Sequence, residues 1–167
     1  MHPVVLALFD DATAASTAAR ELRALGVPPE RVSIVARSHD EEGVIARASG
    51  ASPGSELEDS GPASRLGELG AHLLAAIALV MPGIGPIVAD GPLAAGLGEA
   101  AGHLAGGLAR TLERAGLGHG DARAWEDRIR AGALLVGAHV DEARLDRARE
   151  ALVRAGGRQV TLGTWQD

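Results

Sequence analysis

The chain has 167 residues, 22 acidic against 16 basic for a net charge of −6, and its aromatic side chains are Phe9, Trp125 and Trp165 alone. The absence of cysteine removes disulfides, iron–sulfur clusters, thiolate zinc sites and cysteine nucleophiles; the absence of lysine and tyrosine removes Schiff-base, P-loop and phenolic chemistry. An acidic chain with so few stacking faces and no basic stripe also argues against nucleic acid as a partner.

"MHPVVLALFDDA" opens with a short apolar run that no basic segment precedes, so a cytoplasmic protein is expected and a secretory signal is not. Val4–Phe9 reads as a buried strand ended by Asp10 and Asp11. Over Ala12–Leu25 the apolar positions Ala15, Ala18, Leu22 and Leu25 recur at helical spacing, with Asp11 or Thr13 as cap and Gly26 as stop. A second strand is expected over Val32–Ala36.

Residues 1–37 thus form a first strand-helix-strand half. Residues 38–62, acidic and rich in serine, glycine and proline, read as a linker. Residues 63–119 read as an inserted Gly/Ala-rich helical hairpin, with helices over Ala63–Val80 and Pro92–Ala115. The prolines and glycines of "MPGIGPIVADGP" interrupt it as a structured tip.

Residues 120–167 repeat the first half. A short helix capped by Asp121 presents Ala122, Trp125 and Ile129 on one face, and "ALLVGAHV" follows as a strand. Asp141 then caps a helix in which Leu145, Ala148, Leu152 and Ala155 reproduce the earlier spacing before Gly156, and "RQVTLG" is the last strand. Asp11–Gly26 and Asp141–Gly156 have the same length. The expected fold is α+β, a ferredoxin-like four-stranded antiparallel sheet from two βαβ half-repeats with helices on one side, split by the hairpin.

Three local patterns carry a resemblance: "VVLALFDDATAASTAARELRALGVPPERVSIVAR", the tip "MPGIGPIVADGPLAAGL", and "GLGHGDARAWEDRIRAGALLV". In these the chain resembles the general stress protein 17M-like family of bacterial, heat-induced stress-protein domains. The resemblance spans nearly everything except the linker. It implies a stress-associated, non-enzymatic protein, and it carries over no active site and no cofactor. Glu68, His72, Glu99 and His103 depart from the plain glycine and alanine more usual in such inserts.

Two features of the insert invite a functional reading. Ala63, Gly67, Ala71 and Ala75, and likewise Ala94, Gly98, Gly102 and Gly106, recur every four residues and would let two helix axes approach closely. Gly67, Ala71, Ala75, Gly98, Gly102 and Gly106 are therefore the expected helix-packing residues, and a homo-oligomer joined through the hairpin is the expected assembly. The repeated Glu-x-x-x-His, Glu68 with His72 and Glu99 with His103, puts a carboxylate and an imidazole on one helix face twice, a set that could hold a divalent metal.

The same motif has a simpler reading as two helix side-chain pairs at a packing seam. Leu69–Ala89 runs 21 residues without a formal charge, so membrane association through a re-entrant or surface-lying hairpin is an alternative, although Pro82, Pro86 and His72 oppose a full span. A small-molecule regulatory module is a further alternative, resting on fold analogy alone. No catalytic residue is assigned: Asp11 is accounted for as a cap, and His139 as a sheet residue.

Overall fold

The computed structural model describes residues 1–37, 77–81, 84–100 and 107–166. Among the described residues six strands make one antiparallel sheet: β1 His2–Phe9, β2 Val32–Arg37, β3 Ile77–Met81, β4 Gly85–Asp90, β5 Leu134–His139 and β6 Arg158–Trp165, in the order β3-β4-β2-β5-β1-β6. The helices are α1 Ala12–Ala24, α2 Pro92–Ala100, α3 Gly107–Arg114, α4 His119–Arg130 and α5 Glu142–Arg154, and Pro29–Arg31 adds a single 3₁₀ turn.

The fold class is α+β, as the two half-repeats imply. β1 and β5 pair inside the sheet, registered from Val4 opposite His139 to Phe9 opposite Leu134. Side chains alternate across a strand, so β1 feeds two cores at once. Val5, Ala7 and Phe9 join Ala15, Ala18, Ala19 and Leu22 of α1 and Ala148 and Leu152 of α5. Val4, Leu6 and Leu8 join Leu93 and Leu97 of α2, Leu108 and Leu112 of α3, and Ala122, Trp125 and Ile129 of α4.

The expectation of four strands with helices on one side is corrected on both points. The segment read as a helix-breaking tip instead holds β4, which pairs with β3 from Ile77 opposite Ala89 to Met81 opposite Gly85 and continues the sheet beyond β2. Short apolar runs between prolines and glycines suit a tight hairpin as well as they break a helix. The second helical layer combines the insert with the second half, since α2 and α3 together with α4 cover the face opposite α1 and α5. Of the expected helix Ala63–Val80, residues 63–76 lie outside the described residues, and the end that is described, from Ile77, is strand.

The matched helices α1 and α5 differ at their starts. Asp11 caps α1 by accepting the Ala14 N–H at 2.7 Å. Asp141 stands at the equivalent place on α5 but makes no cap bond; its carboxylate pairs instead with Arg144 at 2.6 Å and Arg31 at 3.4 Å. Asp11→Ala is expected to cost about 1 kcal/mol and Asp141→Ala a few tenths, because only the first strands a helix N–H. Urea denaturation of the two variants checks this, and equal losses would contradict it.

At the start of α4 the expected cap Asp121 is displaced by three residues. Gly118 holds the cap position, and Asp121 lies in the first turn, where its charge complements the helix dipole.

Candidate ligand-binding cleft

A polar cleft of about 480 Å³ lies between α3 and α4, lined by Ala109, Arg110 and Glu113 from one helix and His119, Arg123, Glu126, Asp127 and Arg130 from the other. The lining positions on α4 recur at helical spacing, so one face of α4 supplies them all. The opposite face carries Ala122, Trp125 and Ile129 into the core and holds α4 against the sheet. α4 is therefore amphipathic, with its charged side turned toward α3.

Two polar contacts join the helices across the cleft. Glu126, half-buried, accepts the Ala109 N–H at 2.9 Å through one carboxylate oxygen. That N–H is among the first of α3, a group with no partner inside its own helix, so Glu126 acts as a cap supplied from the neighbouring helix. At the other end the His119 ring lies 2.5 Å from the Glu113 carboxylate, Nδ1 to Oε1. These contacts make the pair antiparallel, with Ala109 level with Glu126 and Glu113 level with His119.

Arg130 closes the lower end. Its guanidinium meets Asp127 at 2.7 Å and the second oxygen of Glu126 at 3.4 Å. Its backbone carbonyl, exposed by the end of α4, accepts from the Arg37 guanidinium at 2.5 Å, which ties the helix to β2. Each of the three cleft carboxylates thus has a protein partner. Arg110 and Arg123, both exposed, have no hydrogen bond or ion pair among the described residues.

Beside the cleft, at the far end of α3, Trp165 lies between two cationic or ionisable neighbours. The His139 ring is tilted at 5.2 Å between centroids, and the Arg114 guanidinium carbon sits 5.2 Å from the indole. Trp165 is buried and closes the α2–α3 layer.

Glu68, His72, His103, Gly67, Ala71, Ala75, Gly102 and Gly106 lie outside the described residues. Glu99 is on α2, with its side chain outside them. Gly98 is also on α2 and is exposed, while Gly96 of the same helix meets α3, where an added Cβ would lie 3.1 Å from the Thr111 methyl. Among the described residues no group of three histidine and carboxylate side chains could hold a metal ion, and no helix is long and apolar enough to cross a membrane.

No family model, curated protein or solved structure matches the chain.

Proposed function

We propose that the protein is a non-enzymatic stress-response and interaction module: a ferredoxin-like core whose insert mediates self-association. The run β2-β5-β1-β6, built from the two half-repeats with α1 and α5 on one face, supports the ferredoxin-like part. The stress-response part rests on the resemblance of the three local patterns to the general stress protein 17M-like family.

The observation that carries self-association is the composition of α2. Pro92–Gly98 contains no charged or hydrogen-bonding side chain, yet only part of its surface is used: Leu93, Ala94, Gly96 and Leu97 are buried, while Ala95 and Gly98 face outward. Glu99 apart, α2 is apolar all round, and a helix of that kind belongs in an interior. The exposed pair, three residues apart, is small enough for a second helix to approach the backbone closely.

Size-exclusion light scattering tests this reading. Wild type is expected to run as a dimer or larger species, and Gly98→Leu as a monomer, because the added side chain holds the second helix away. The isolated variant chain should be more stable by about 0.5–1 kcal/mol, since glycine is a poor helix former. A wild-type monomer, or a variant of unchanged mass, overturns the reading. Flotation of the wild type with liposomes would replace self-association by the membrane alternative, with the same face of α2 meeting lipid.

A further inference from the structure

We propose that the α3–α4 cleft binds a small phosphate-bearing molecule, with Arg110 and Arg123 as the residues that grip the phosphate. The register of the helix pair sets these two arginines together. Ala109 meets Glu126 at one end and Glu113 meets His119 at the other, so the positions between them, Arg110 on α3 and Arg123 on α4, share the middle level of the cleft.

Two guanidiniums at one level repel each other, and the acidic groups nearby are already committed. Glu126 holds the start of α3 and Arg130, Asp127 holds Arg130, and Glu113 holds His119. The protein therefore supplies carboxylates around the two arginines without assigning one to either. An oxyanion between them would relieve the repulsion and take parallel N–H bonds from both forks, the geometry for which arginine suits phosphate.

The rest of the lining bears on what carries the phosphate. Glu113, Asp127 and the His119 ring stand around the grip with acceptor capacity left over, which suits hydroxyl groups on the phosphate-bearing molecule. A volume of about 480 Å³ is in the range of sites for small organic ligands. The contrast with a second hollow of about 410 Å³, lined by Asp10, Arg128 and Arg158, is instructive. There Arg158 is already paired with Asp10 at 2.8 Å.

The test is a nitrogen-15 NMR titration of the full chain at constant ionic strength with inorganic phosphate, ribose 5-phosphate and succinate in turn. Both phosphates are expected to shift the Arg110 and Arg123 side-chain Nε–H signals and the neighbouring α3 and α4 amides in a saturable way. Tighter binding of the ester identifies a phosphorylated metabolite, and equal binding identifies free phosphate. Arg110→Gln and Arg123→Gln should each weaken either phosphate by about tenfold or more, while Arg149→Gln on α5 leaves both unchanged.

Saturation by succinate as strong as that by phosphate overturns the assignment. So does the lack of a saturable shift with either phosphate, or a shift that survives in both glutamine variants. Light scattering on the Gly98→Leu variant separates this site from self-association, because its cleft should still bind.

Discussion

Gly91→Ala is expected to destabilise the protein by about 4 kcal/mol, the sum of backbone strain and a clash that cannot relax. Gly91 joins β4 to α2 at φ +79°, a conformation costly for a residue with a side chain. An added Cβ would also run into the Val32 carbonyl and lie 2.8 Å from the Ser33 Cα, and both obstacles are backbone of β2 in the interior of the sheet. The close approach has a purpose in the fold. It brings the start of α2 over β2, where the buried Ser33 hydroxyl accepts the Leu93 N–H at 3.1 Å and supplies the cap that Pro92 and Gly91 lack.

Gly26 provides the control. Its φ is +80°, yet nothing lies within 4 Å of an added Cβ, so Gly26→Ala should cost only the strain, about 1 kcal/mol. For a chain of this size the two variants should melt roughly 6–12 °C apart. Equal melting temperatures would mean that β2 and the β4–α2 turn do not approach as described.

The half-repeats were legible because each helix carries its own limits. An aspartate, a helical run of alanine and leucine, and a glycine delimit Ala12–Ala24 and Glu142–Arg154 by local chemistry alone, and both helices have 13 residues. What was misread depends on long-range context. "IALVM" and "GPIVAD" are too short and too evenly apolar for periodicity to separate strand from helix, and the neighbouring prolines decided the reading wrongly.

The strands themselves carry a sign of the second helical layer. "VVLALF" has no polar residue on either side, and neither has "LLVGA" in β5, whereas a sheet covered on one face alternates apolar with polar. The cleft offered no comparable sign. Glu126 reaches Ala109 over 17 residues of sequence and Glu113 reaches His119 over six, neither a spacing within one helix. Arg110 and Arg123 are two of sixteen arginines until the packing of α3 on α4 sets them at one level.

Trp165→Ala should have an effect of similar size, about 3–5 kcal/mol, because it removes the largest side chain that β6 contributes to the second core. Trp165 ends β6 opposite His2, and its indole reaches three elements beyond its own strand: His139 of β5, Arg114 at the end of α3, and Gly96 of α2 at 3.4 Å from a Cβ built there. The next residue strengthens the same junction, as the Gln166 N–H donates to the Arg114 carbonyl at 2.9 Å.

The contact with Gly96 makes the claim separable from a generic loss of core. In wild type, Gly96→Ala squeezes a methyl between the Thr111 methyl and the indole, and the tightness at Thr111 should offset the gain in helix propensity. Once Trp165 is alanine, the same methyl has a cavity to enter. Gly96→Ala should then stabilise the chain, with a coupling of about 1–2 kcal/mol in a double-mutant cycle measured by urea denaturation. Additive losses would show that the indole does not rest on α2 and that the α2–α3 layer is held by the leucines of the core alone. A clear coupling would make Trp165 the joint between the second half-repeat and the insert. The surface proposed for self-association on α2 would then depend on a residue at the opposite end of the chain.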